Sequence, residues 1–251
     1  MNQPQPAIEP FSLDELQKAT RNRGMPLEAL RYDITPAGIH YLLIHFDIPA
    51  TEEAGWRVEL TGNIERTLSL SMDDIRSRPS RTIPVTLECA GNGRARMPNR
   101  VKSQPWLLEA IGTAEWTGTP LAGILDEAGV RPDAVELVFT GADRGIQGGI
   151  EHDYERSLAV ADAMRPEVLL VYAMNGRPLE PQHGYPLRLL VPGWYGMTSV
   201  KWLRRIEAVT RPFEGFQQAN AYRIQMSEED PGQRVTRIKV RGRSEIGRAH
   251  V

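Results

Sequence analysis

One cysteine, Cys89, stands among the 251 residues, so no internal disulfide can form and no paired-thiolate metal site can be built from this chain alone. There is no C-x-x-C and no H-E-x-x-H, which leaves zinc and iron–sulfur centres without support. Neither G-x-G-x-x-G nor a Walker A loop is present to name a nucleotide. No apolar run approaches the roughly 20 residues of a membrane-spanning helix. The opening Met1–Pro10 lacks the basic and apolar regions of a secretion signal, so the expected location is cytoplasmic, or periplasmic if a leader precedes this sequence. An excess of one charge sign is also missing. Lys+Arg number 30 against 32 Asp+Glu, and a formal net charge of -2 gives no field to recruit nucleic acid or a membrane surface.

What is there describes a globular protein: 41% hydrophobic and 25% charged residues, with 19 prolines and 22 glycines scattered as turns. The length suits one large domain, or one domain with a short appendage. Ser12 with Glu15 predicts a capped helix stopping near Gly24, and Ser71 with Asp74 a second helix start. Residues 38–48 predict a strand with Tyr41, Leu43 and His45 on one face. Trp56, Val58 and Leu60 alternate in the next strand, and 82–88 forms another leading to Cys89. Leu121–Ala128 predicts a helix closed by Gly129, and Val135–Phe139 a strand entering a Gly141–Gly145 loop. Val168–Met174 runs into an Asn175-Gly176 tight turn, and 187–191 and 200–209 complete the strands. Many short strands with short helices, without regular alternation, predict an α+β fold built on mixed sheets.

Three constellations carry chemistry. Cys89 sits where a strand breaks into Ala90-Gly-Asn-Gly93. It is either a small buried hydrophobe or a thiolate presented to a bound group, with Arg94 favouring the charged form. As a lone protein thiolate it would suit a soft metal whose other ligands come from elsewhere, and a Cys–His nucleophile stays open. His183-Gly-Tyr-Pro-Leu-Arg188 and the following glycine-rich stretch to Lys201 supply the cations and exposed N–H groups a phosphorylated ligand needs. A structural role for His183 is the alternative. Trp116 and Tyr222 are either core aromatics or, for the phenol, a hydrogen-bond donor beside a metal centre.

Together, Glu88-Cys-Ala-Gly-Asn-Gly-Arg94, Ala110–Trp116, Gly141-Ala-Asp143, His183–Arg188 and Pro192–Leu203 resemble the molybdopterin-dependent sulfite oxidase family, in the family's order and over roughly residues 25 to 240. The resemblance implies a Mo-molybdopterin cofactor with Cys89 as the metal's thiolate. It places His45, Asp143, His183, Arg188, Ser199 and Lys201 around the pterin and its phosphate. Arg94 would line the oxyanion pocket, and Trp116 and Tyr222 would stand at pocket positions. The implied activity is oxidation of sulfite to sulfate by oxygen-atom transfer. The alternatives are reduction of an S- or N-oxide such as methionine sulfoxide, or a non-catalytic pterin-binding module.

Departures from the family's pattern matter. Leu43-Ile-His45 stands where the family usually has Arg-Asn-His, and Gly93 stands where many members carry a second arginine. Arg96, Arg100 and Arg144 are candidate replacements. No haem domain precedes the molybdenum region, so electrons are expected to leave to an external acceptor such as a cytochrome c. The expected division is an N-terminal extension over 1–24, the oxidoreductase domain over 25–243, and a tail over 244–251. That tail reads like adapter sequence, and a dimerisation domain is expected to follow Arg243 in a natural homodimer.

Overall fold

The computed structural model describes residues 12, 15, 19–97, 102–224 and 229–238. Strand formation follows alternation. Val58 and Leu60 are buried along β1 (Arg57–Gly62) while Arg57 faces water. β2 (Leu68–Ser71) runs back beside it into α1 (Met72–Arg76). A capping box fixes that helix's entry: Asp74 N donates to Ser71 Oγ (3.1 Å) and Ser71 N to Asp74 Oδ2 (2.8 Å). β3 (Arg81–Glu88) pairs antiparallel with β4 (Ile111–Pro120), which leads into α2 (Leu121–Ala128). Gly129 closes α2 with φ +68, and an added Cβ there would lie 2.8 Å from the Glu65 carboxylate.

β5 (Glu136–Gln147) and β6 (Ile150–Ala159) form a long antiparallel pair, followed by α3 (Val160–Ala163). β7 (Leu169–Met174) turns through Asn175 and Gly176, both at positive φ (51 and 73), into β8 (Arg177–Pro178). β9 (Arg188–Leu190), β10 (Leu203–Val209) and a ribbon of β11 (Arg223–Ile224) with β12 (Gln233–Arg234) complete the strands.

One five-stranded sheet has the order β2-β1-β10-β5-β6, in which the β1–β10 pair is parallel and the rest antiparallel. The other runs β3-β4-β7-β8, with β9 paired to β7. α2 buries Leu121, Ile124, Leu125 and Ala128 in a core with Leu60, Phe139, Leu170, Leu189 and Ile206, drawn from both sheets. Each such aliphatic side chain contributes about 1.5–3 kcal/mol on burial. A second core, with Leu87, Cys89, Trp116, Val171 and Leu190, lies along the β3–β4–β7–β9 sheet. The architecture is the mixed α+β arrangement expected.

Some expectations need correction. Residues 38–48 form no strand: a 3-10 turn (Ala37–Ile39) leads to an extended segment with one bridge, Leu42 to Arg23. Two residues on, Ile44 N is taken by the Asn22 side chain at 2.7 Å, so no continuous ladder forms. Gly141–Gly145 is a break in register within β5, between Thr140 and Arg144, and the strand continues to Gln147. Residues 19–24, the end of the expected N-terminal extension, are hydrogen-bonded to the rest of the chain through Arg23 and Asn22. The 244–251 tail and Arg100 lie outside the described residues. Among the described residues no helix is long and apolar enough to cross a membrane.

Candidate active site

Cys89 follows directly on β3, its N–H bonded to Ala110 O (2.9 Å) as the last link to the β4 side. The chain then folds back, with Asn92 N donating to Cys89 O and Arg94 N to Gly91 O, both at 2.9 Å. Gly93 takes φ +88. Asn92 braces the turn: its Nδ2 donates to Glu88 Oε1 (3.1 Å), and its Oδ1 accepts from Ala110 N (3.1 Å). Gly91 has a different reason to be glycine, because an added Cβ would sit 2.6 Å from the Arg94 guanidinium carbon.

The Cys89 side chain is the partition between two cavities. An inner one of about 60 Å³ is walled by His40, Tyr41, Tyr154, His183, Arg188, Ser199, Lys201 and Asp143, among others. An outer one of about 210 Å³ is walled by residues that include Arg21, Arg94, Gln104, Trp106, Gln147 and Tyr222. Leu43, His45 and Cys89 contribute to both. Burial pushes the Cys89 thiol up, opposed by the Gly91 N–H, the Arg94 guanidinium and the Trp106 indole N–H. Arg94 alone therefore does not make the thiolate the favoured form, and a bound metal cation would reverse the balance. The Trp106 indole N–H has no acceptor within hydrogen-bond limits, which leaves it aimed at the sulfur region.

Cations dominate the inner cavity. Arg188 is buried and donates from Nη1 to His183 O and from Nη2 to Ser199 O, each at 3.0 Å. Its guanidinium lies over the Trp116 ring at 4.9 Å, and burial lowers its pKa to about 10. Lys201 Nζ donates to Leu43 O (2.9 Å) and Gln182 O (3.0 Å), its pKa lowered mainly by burial and then by Arg188. Burial likewise raises the Asp143 carboxyl against the pull of Lys201. Ser199 Oγ accepts from Val191 N at 3.1 Å, tying the loop to the end of β9. His183 and His40 have their rings 5.7 Å apart edge to face, with pKa values lowered by burial to about 3 and about 4. Both are neutral hydrogen-bonding groups at physiological pH.

On the outer side, Tyr222 follows a π-helical turn (Gln217–Ala221), and its hydroxyl lies 2.6 Å from His45 Nε2. Burial holds the phenol protonated, and burial with the nearby charges of Lys201 and Arg156 lowers His45 to about 3. Arg156 was not singled out in the sequence. It is buried, with Nη1 on Gln217 O (2.5 Å), Nη2 on Val235 O (3.3 Å) and its guanidinium 5.4 Å from the Tyr222 ring centre.

Of the ten residues singled out, nine line one or other cavity; Trp116 does not. It is fully buried in β4, donates to Val85 O (3.3 Å) and supports Arg188 from beneath. The tryptophan in the cavity wall is Trp106. Arg96 is exposed and absent from both walls, while Arg144 is engaged by Glu151 and Asp153 on the other side of β5. Arg21 and Tyr154 were missed, as were the amides of Asn22, Gln104 and Gln147. Their signals, scattered polar residues in separate segments, acquire meaning only once the chain is folded.

The residues fit an anionic, hydrogen-bond-rich cofactor. Arg188 and Asp143 line the inner cavity, and Arg188 Nε and Asp143 Oδ1 are buried without a protein partner. Two cations face one carboxyl there. Among the described residues no three His, Cys, Asp or Glu side chains converge on a metal, so a metal at Cys89 would need ligands from the cofactor.

Comparison with known proteins agrees. Residues 45–217 match the family described as "Oxidoreductase molybdopterin binding domain". The NADH nitrate reductase of Solanum lycopersicum is 37% identical over 218 residues, covering 82% of this chain and 24% of that protein. That of Petunia hybrida is 37% identical over 206 residues, 78% of this chain and 22% of that protein. The sulfane dehydrogenase SoxCD of Paracoccus pantotrophus superposes with a TM-score of 0.73 at 29% identity, over 85% of this chain and 52% of that one. The chain thus spans about a quarter of the length of these curated relatives.

Proposed function

The chain belongs to the molybdopterin-binding oxidoreductase domains of the sulfite oxidase family, and on that premise we propose that it oxidises sulfite to sulfate and passes the electrons to an external acceptor. Its cofactor is Mo-molybdopterin. The observation that carries the reading is Cys89 standing as the shared wall of a cation-lined inner cavity and an outer cavity that holds Arg94.

When bound, the cofactor supplies two-electron oxygen-atom transfer. Arg188 and Lys201 would hold its anionic portion, with Asp143, Ser199 and the neutral His40 and His183 as polar partners. Cys89 would give the metal its one protein thiolate. Arg94 would bind the substrate anion, and its partial exposure leaves it reachable from solvent. The Tyr222 hydroxyl, kept protonated by burial, would donate to a substrate oxygen while His45 fixes its direction.

A second reading is reduction of an N- or S-oxide: the relatives named nitrate reductases support nitrate, and the apolar Leu43 wall supports a neutral oxide such as methionine sulfoxide. Turnover by molybdenum-loaded protein separates the two. Sulfite-dependent reduction of ferricyanide or cytochrome c is expected. Oxidation of reduced viologen by nitrate or sulfoxide, without sulfite turnover, selects the second reading. Molybdenum loading with neither activity returns the chain to a pterin-binding module.

A further inference from the structure

We propose that Arg21, delivered by the N-terminal segment, is a second anion-binding residue of the outer cavity and sets its preference for a doubly charged oxyanion. The proposal rests on reading the outer cavity as the substrate chamber. Arg21 and Arg94 are the two arginines in its wall, and no Asp or Glu lines it among the described residues. Arg21 makes no ion pair among the described residues, and its charge is felt at His45. Two guanidinium groups with no carboxylate to neutralise them suit a small oxyanion, because each can offer parallel N–H donors.

The segment carrying Arg21 is built into the site. Arg23 N donates to Leu42 O (3.0 Å), and Arg23 O accepts in return from Leu42 N (2.7 Å). Asn22 reaches both walls, accepting from Ile44 N (2.7 Å) and donating to Gln104 Oε1 (3.0 Å). Met25 N bonds Glu109 O at 2.8 Å. Gly24 lies so close to Glu109 that an added Cβ would meet its Cγ at 1.9 Å. These ties are made by the neighbours of Arg21 and not by its guanidinium, so the side chain can be changed without releasing the segment.

The experiment uses molybdenum-loaded protein and two readouts: sulfate binding by calorimetry, and steady-state sulfite oxidation. Arg21→Gln is expected to weaken sulfate binding, and to raise KM for sulfite, by about 10- to 100-fold with kcat nearly unchanged. Arg21→Lys, which keeps the charge but not the parallel donors, recovers only part of the lost affinity. Arg96→Gln, a charge removed outside the cavity, leaves both readouts unmoved. Leu43→Arg in the Arg21→Gln background restores anion affinity from the opposite segment. Sulfate affinity unchanged in a folded Arg21→Gln variant, or lost equally in Arg96→Gln, overturns the proposal. Wild-type protein that binds sulfate through Arg21 yet oxidises no sulfite would instead overturn the reaction assignment and leave Arg21 as an anion site.

Discussion

The Tyr222 hydroxyl and His45 Nε2 lie 2.6 Å apart at the boundary between the two cavities. Because His45 is neutral down to about pH 3, its Nε2–H tautomer can donate to the phenolic oxygen, which orients the tyrosine and leaves its own proton for the substrate. Tyr222→Phe is expected to lower kcat by about 10²-fold, the usual cost of one oriented donor, with a smaller effect on KM. Stopped-flow measurement of the reductive half-reaction checks it. A wild-type rate would remove Tyr222 from the reaction.

Acid stability follows from His40 and His183, 2% and 4% exposed, whose folded pKa values of about 4 and about 3 lie below the unfolded value of 6.5. Between those limits the unfolded chain binds more protons, so stability rises with pH and is lost as pH falls below about 6.5. Each histidine adds a slope of up to about 1.4 kcal/mol per pH unit. The melting temperature of the cofactor-free protein is expected to fall between about pH 7 and pH 5, and less steeply in His40→Gln. Parallel slopes for the two proteins would contradict the assignment.

Cys89→Ser should abolish turnover, by more than about 10³-fold, while changing the melting temperature little, since the side chains are nearly isosteric. Circular dichroism melts run beside activity assays decide it. Retained activity rules out the thiolate role.

Arg94→Gln should raise KM for sulfite about 10- to 100-fold, more than for a neutral sulfoxide. Gly91→Ala provides a second route to the same end, because its methyl would fall 2.6 Å from the guanidinium carbon and push it aside. A KM shift of the same sign, with an unchanged fold, is expected from steady-state kinetics. A wild-type KM in both variants refutes the role of Arg94.

Trp116 should behave as core. Trp116→Ala is expected to cost about 3–5 kcal/mol of stability. It should also reduce molybdenum retention by removing the surface beneath Arg188. KM for substrate in the loaded fraction should hold. Chemical denaturation with metal analysis tests this, and a KM change with full stability would return Trp116 to the pocket.

Much of this was legible in the sequence where local chemistry decides local structure. Ser71 with Asp74, Gly129 and Asn175-Gly176 mark a cap, a helix stop and a turn that the structure places at those residues. Nine of the ten residues that the family resemblance implied for the site line the cavities. The rest depended on tertiary placement. Residues 38–48 alternate like a strand, but their backbone partners come from Arg23 and Asn22, so no sheet forms. β6 was missed because Glu151, Asp153 and Glu155 interrupt its apolar signal. Trp116 and Trp106 exchange places because sequence fixes neither the depth nor the direction of an indole.

Leu43, His45 and Cys89 form a party wall between the chamber we propose for the cofactor and the one we propose for the guest. A change at any of these residues is felt by both occupants at once. Arg21, Asn22, Gln104 and Gln147 line only the outer cavity. Nature or an engineer can therefore retune substrate choice from that outer rim while the redox centre's setting stays as it is.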